Sequence, residues 1–432
     1  MGNYIHVKTL ILGAGLAGLS AAHELIRNGE NDLLLIERSS VCGGLMRTSN
    51  SSGHTIDHLP HVFFTGDPTA IALYHRLIKD SFSHEAHLGV YLHACSRFID
   101  YPYQLHIHGL PFHMRMASIA GYYFRNKHIK TDTFEHYLLS IYGRPITEHF
   151  FRPYNEKLWC RPLSQLSTEW VKEKIAPIHS QDMLNSFLGH QKPTRYGPHA
   201  AFCYPRTGGI QSITQALAHR TGMDKICLEH TVQNVDTQNK IVRTNKSVFQ
   251  YEHLIWTLPL FQAPHLLGVR DWHGAPLSYN TVTAVHVVCE HSTLPPYHWI
   301  YITDPSISFY RVTRIDLIQQ QHQGQHILII EVASPGGSPV DQEKCKAHVL
   351  AEIVELGFVK AQDITYSEVF LYSPAYVVYD LQYAHARTQH HDLLAKNDII
   401  PAGRFGEWAF FNMDKTMLSG IHAAQKIVQK DR

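Results

Sequence analysis

Three glycines near the start of this 432-residue chain constrain its fold more than any other feature. The run Gly13-Ala-Gly15-Leu-Ala-Gly18 follows an apolar stretch, Val7 to Leu12. It opens into LSAAHELIRNG, whose apolar residues recur at helical spacing and which stops at Gly29. A second apolar stretch, Asp32 to Ile36, ends at Glu37, 22 residues after Gly15. Strand, glycine turn, helix, strand and acid in that order read as a βαβ unit for a dinucleotide. Gly13 permits the tight turn, Gly15 lets the backbone approach a diphosphate, and Gly18 lets helix pack closely on strand. The helix N-terminus offers free N–H groups and a positive dipole end to the phosphates. Glu37 is placed to accept hydrogen bonds from the ribose hydroxyls. The expected fold class is α/β, with a Rossmann-type domain at its head.

The residues that follow select the dinucleotide. After Glu37 come Arg38 and then Gly43-Gly44-Leu45-Met-Arg47-Thr48. A glycine pair directly beyond the ribose acid resembles large flavoproteins of the glutathione-reductase and amine-oxidase type, which pass the chain along FAD at that point. NAD dehydrogenases do not usually have it. In such flavoproteins the FAD-binding domain is assembled from several segments. The expected segments are 1–67, 203–263 and 397–432. The middle one holds a Gly208-Gly209 turn, a helix and a hairpin whose Val232 is placed for contacts to adenine. The last holds Gly403, Arg404, Asn412, Asp414 and Thr416. Between them lie an inserted, mostly helical domain, 68–202, and a β-rich domain with a mixed sheet, 264–396, which would build the substrate site.

Bulk properties narrow the classes further. Single cores rarely grow beyond ~250–300 residues, so several domains are expected. Lys+Arg 38 against Asp+Glu 37 provides no basic excess for nucleic acid. Seven scattered cysteines without a CxxC fit reduced thiols in the cytoplasm. No apolar run approaches the ~18–20 residues that span a bilayer, so neither a membrane nor a nucleic acid is an expected partner. The 33 histidines lack the spaced Cys or carboxylate partners of a metal site, and none is expected.

Separated blocks then resemble one family, the UDP-galactopyranose mutases, most clearly its eukaryotic-type members, over nearly the whole chain. Tyr101-Pro-Tyr103-Gln104 is similar to a stretch that contacts uracil there. Phe150-Phe-Arg-Pro-Tyr154-Asn155-Glu-Lys-Leu-Trp159 resembles a stretch lining the uridine and sugar pocket, with Trp170 beyond it. Tyr301 and, ten residues later, Arg311 resemble a sugar-side Tyr and a diphosphate-binding Arg. Tyr376 stands 28 residues before Arg404, as the family's phosphate-binding Tyr stands before its GRxGxW. The segment from Gly403 through Phe410, Asn412, Asp414 and Thr416 resembles one that runs under the isoalloxazine. Asp57-His-Leu-Pro60-His61 resembles a loop whose His lies against the flavin.

The resemblance implies an isomerase that interconverts pyranose and furanose forms of UDP-galactose or a related nucleotide sugar, for polysaccharide biosynthesis. It implies that reduced FAD is the active form, that flavin N5 attacks the anomeric carbon to give a flavin–sugar adduct, and that NADPH or NADH supplies electrons. No Ser, Cys or carboxylate pair is then needed. A homo-oligomer, dimeric or tetrameric, is also implied. Three positions depart from the pattern. Lys174 replaces a second diphosphate Arg, Phe410 or Phe411 replaces a phosphate-binding Tyr, and Pro60, with φ held near about −65°, replaces a mobile Gly. The runner-up is an FAD oxidoreductase of the amine-oxidase or protoporphyrinogen-oxidase type, and a flavoprotein kept only for binding is the third alternative.

Overall fold

The computed structural model describes residues 4–171, 175, 178–190, 201–320 and 324–431. The strand Ile5–Leu12 runs down the middle of the first sheet, where Leu10, Ile11 and Leu12 are fully buried. Parallel partners cover both its edges: Leu33–Ile36 on one side and Val248–Trp256 on the other. A strand buried on both faces reads as a continuous apolar run, which is why TLIL carries no polar alternation beyond Thr9. The sheet has seven strands, in the order Val232–Asp236, Ile241–Thr244, Val248–Trp256, Ile5–Leu12, Leu33–Ile36, Ile226–Cys227, with Ile399–Pro401 also paired to Val248–Trp256. All three segments expected to build the dinucleotide domain therefore meet in one sheet.

The helix Leu16–Arg27 crosses between the first two strands and packs against the closing helix Met413–Lys430. Two glycines make this geometry sterically accessible. Gly13 adopts φ +105°, and a Cβ there would meet Thr257 Oγ1 at 2.3 Å; a Cβ on Gly18 would meet the Gly13 carbonyl oxygen at 2.0 Å.

The second sheet also has seven strands: Ile364–Val377, Tyr279–Cys289, His326–Pro335, Arg311–Arg314, Trp299–Ile302, Leu88–Leu92 and Arg97–Asp100. It is mixed, since Trp299–Ile302 pairs parallel to Leu88–Leu92 and its other pairs are antiparallel. The last two strands come from the block expected to be mostly helical. In the sheet Val90, Leu92 and Ile99 are buried, with Leu88–Leu92 beside Trp299–Ile302 and Arg97–Asp100 at the edge. Apart from the strand Ser81–Glu85, which pairs with Ala201–Pro205, the regular elements of the rest of that block are helices, including Phe112–Tyr123, Phe134–Tyr142, Arg152–Trp159 and Ser180–Leu188. A wide π turn, Thr147–Phe151, leads into Arg152–Trp159. On that continuous helical path Phe150, Phe151, Tyr154, Asn155 and Leu158 fall on one face, four or five residues apart, and that face looks into the molecule.

Candidate active site

Two cavities meet between the sheets. The larger, of about 1330 Å³, runs over the glycine turn and the start of the helix Leu16–Arg27. Gly13, Gly15, Gly43 and Gly44 form one wall, and a parallel bridge between Gly15 and Gly43 holds the two glycine runs together. Glu37 lines one end. Its Oε2 accepts from the Ala14 N–H at 3.1 Å and its Oε1 from the Ser39 N–H at 2.9 Å, so the carboxylate is held in a fixed orientation. Arg38, Leu45, Val232, Gly403, Arg404, Asn412 and Thr416 complete the expected lining. Two expected positions are not on the wall. Gly18 lies beneath it, where helix meets strand. Asp414 sits in the first turn of Met413–Lys430 with a buried, unpartnered Oδ1, because that turn presents Asn412, Met413 and Thr416 to the cavity instead. A backbone cradle, an oriented acid and a helix N-terminus together suit a flavin dinucleotide, with the glycines leaving the room that its diphosphate needs.

The second cavity, of about 290 Å³, shares Leu45, His61, Arg404, Asn412 and Met413 with the first. It gathers Tyr101, Phe150, Tyr154, Asn155, Trp159, Tyr301, Arg311, Tyr376 and Phe410, positions that the sequence spreads over more than three hundred residues. The walls are aromatic. Tyr154 meets Tyr301 edge-on at 4.9 Å, Tyr101 meets Tyr301 at 5.2 Å, and Trp159 meets Phe410 at 5.7 Å and Tyr376 at 6.1 Å. Burial pushes the Tyr101 phenol up to about 12 and raises those of Tyr154 and Tyr301, so all three stay protonated and can donate.

Arg404 stands at the junction. Its Nε donates to the Phe411 carbonyl at 2.9 Å and its Nη1 to the Ala375 carbonyl at 3.3 Å, and the guanidinium lies 5.5 Å from the Tyr376 ring centre. Burial pulls its pKa down, and no carboxylate pairs with it among the described residues. His61, also at the junction, donates from Nδ1 to the Leu59 carbonyl at 3.1 Å. Burial, helped by Arg404, lowers it to about 4, so its ring is neutral at pH 7.

Four expected roles need correction. Arg311 was expected as a free cation for phosphate. Its strand lies in register with His326–Pro335, which puts it directly opposite Glu331. The two form a bidentate pair, Nη2 to Oε1 at 2.7 Å and Nε to Oε2, with Tyr310 donating to Oε1 at 2.9 Å. Burial disfavours the Arg311 charge, but Glu331 outweighs it and the group remains cationic. Sequence reasoning missed Glu331, although a lone acid inside the apolar strand HILIIEVAS signals a buried partner. Tyr103 and Gln104 were expected at a uracil. A single tight turn, Tyr103–Leu105, swings both into the core instead, and Tyr103 stacks on Phe150 at 5.1 Å. Asn155 lines the cavity, but its amide donates to the Phe151 carbonyl at 2.7 Å and accepts from Trp159 at 3.2 Å, so it braces the helix. Lys174 lies outside the described residues. Among the described residues no group of His, Cys, Asp or Glu could hold a metal ion, and no helix is long and apolar enough to cross a membrane.

Residues 16–428 match the profile of the flavin-containing amine oxidoreductases, and the chain belongs to that family. The family implies FAD, and the larger cavity fits it. In overall fold the chain is similar to a reduced UDP-galactopyranose mutase (TM-score 0.90, 22% identity, covering 98% of this chain and 96% of that one). It is also similar to a candidate protoporphyrinogen oxidase from Exiguobacterium sp. (TM-score 0.76, 15% identity, all of both chains). A cyclohexylamine oxidase from Brevibacterium oxydans gives a TM-score of 0.67 at 16% identity, over 99% of this chain and 100% of that one. At these identities the likeness carries the fold. A stretch of 58 residues is 38% identical to a Baeyer-Villiger monooxygenase from Pseudomonas aeruginosa, covering 13% of this chain and 11% of that protein.

Proposed function

We propose that the protein is a flavin-dependent nucleotide-sugar mutase, which interconverts pyranose and furanose forms of UDP-galactose or a related UDP-sugar. One observation carries the reading. Tyr101, Tyr154, Trp159, Tyr301, Arg311 and Tyr376, from separate segments, line a single cavity that opens onto the flavin cavity at His61 and Arg404. Bound and reduced, FAD would supply an electron-rich nitrogen as nucleophile, so the chain itself needs none. The residues would bind and orient. Tyr154 and Tyr101 offer ring faces to a base, the half-buried phenols of Tyr301 and Tyr376 would donate to sugar or phosphate oxygens, and Arg404 supplies positive charge where the cavities meet. NADPH or NADH as reductant, a cytoplasmic location and a homo-oligomer go with this reading.

A second reading has its own support. Glu331 cancels the charge of Arg311, and a cavity of about 290 Å³ lies at the small end of ligand sites. Both favour a smaller, less anionic substrate and an FAD-dependent oxidation of the amine-oxidase or protoporphyrinogen-oxidase kind. One assay separates the two. The purified flavoprotein is incubated with UDP-galactofuranose or UDP-galactopyranose, with and without dithionite. Isomerisation only after reduction, without oxygen uptake, is the expected result. Oxygen consumption with an amine or a porphyrinogen, and no sugar interconversion, would replace the mutase by the oxidase.

A further inference from the structure

The glycine turn offers a diphosphate N–H groups and a helix dipole but no full charge, whereas FAD brings about two negative charges at neutral pH. Four groups of fixed charge line the larger cavity: the Glu37 carboxylate and the guanidiniums of Arg38, Arg47 and Arg404. Arg38 is exposed and adjoins Glu37 at the ribose end. Arg404 is held by the Phe411 and Ala375 carbonyls at the junction with the second cavity.

Arg47 differs from both. It stands three residues beyond Gly44, and its main chain is fixed by the His58 N–H, which donates to its carbonyl at 2.9 Å. Its Nε is buried without a partner, and its side chain makes no ion pair or hydrogen bond among the described residues. The groups around it bring no anion. His58 and Tyr372 bond each other at 2.6 Å, and burial lowers His58 to about 4. The carboxylates nearby are engaged: Asp57 accepts from Thr48, Tyr204 and the Ile210 N–H, and Glu368 is taken by His286, Tyr366 and Ser51. A guanidinium nitrogen left dry and unbonded is costly, and a phosphate oxygen would satisfy it.

We infer that Arg47 is the cation that binds the FAD diphosphate, completing with its charge what the glycine turn begins with backbone dipoles. The inference rests on the family's cofactor and is independent of the mutase reading. Apoprotein is titrated with FAD and, separately, with riboflavin, which has the same ring and no phosphate, for the wild type, Arg47→Ala and Arg47→Lys. Arg47→Ala should weaken FAD binding by about 10- to 100-fold, leave riboflavin affinity within about twofold, and flatten the fall of FAD affinity with salt. Arg47→Lys should recover part of the loss. Unchanged FAD affinity in Arg47→Ala overturns the inference, and so does an equal loss of FAD and riboflavin. Matching apoprotein melting curves exclude misfolding, and the ratio of the two affinities decides if they differ.

Discussion

The larger cavity has one wall of glycine backbone, while the smaller is walled by side chains from the second sheet and the helical insertion. That difference sets how each can fail. A backbone cradle depends on close approach, and any added atom closes it. A side-chain cage depends on compensation, since each buried charge or hydroxyl must find its partner or the fold loses stability. The first can accept only a group of one shape. The second can be retuned by exchanging single residues.

Three variants test the contrast, beginning with the largest expected effect. Glu331→Ala removes the partner of a buried guanidinium and should lower stability by about 3–5 kcal/mol, read as a drop in melting temperature, while flavin retention at 20 °C is preserved. If instead the flavin is lost and stability holds, the two cavities are not separable in this way. Gly18→Ala forces a methyl group to within 2.0 Å of the Gly13 carbonyl. It should cost about 1–3 kcal/mol and release FAD, with ligand binding in the second cavity judged on whatever holoprotein remains; a stable, fully yellow variant would refute the tight-packing account. His61 gives the smallest effect. Because its pKa falls from 6.5 to about 4 on folding, the unfolded chain takes up the proton first, so its contribution is present above pH 6.5 and lost as pH falls toward 4. Replacing it with Asn should make the decline in stability between pH 7 and 5 shallower by about 2 kcal/mol. An identical slope in the two proteins would place the titration elsewhere.

The two cavities also differ in how far the chain alone disclosed them. Gly13, Gly15, Glu37, Gly43 and Gly44 announce their roles because a tight turn, a close approach and a ribose acid are local demands, met within one βαβ unit. The return of Val232 and Gly403 to the same site followed from a resemblance, and the sheet brings both there. The second cavity was legible only as an assortment of residues. Tyr101, Tyr154, Tyr301 and Tyr376 reach it, but Tyr103 and Gln104 do not, since one tight turn decides which of neighbouring side chains faces inward.

The sequence by itself determined that a flavin dinucleotide domain would form and that its two glycine runs would meet, because those requirements are short-range and glycine satisfies them. Only the tertiary structure decided the electrostatics of the neighbouring site. Glu331 and Arg311 are twenty residues apart in the chain and directly opposed in the sheet. No local pattern sets that register, and it turns an expected free cation into a neutral pair. Burial, which also belongs to the whole fold, then fixes the protonation of His61 and the phenols around it.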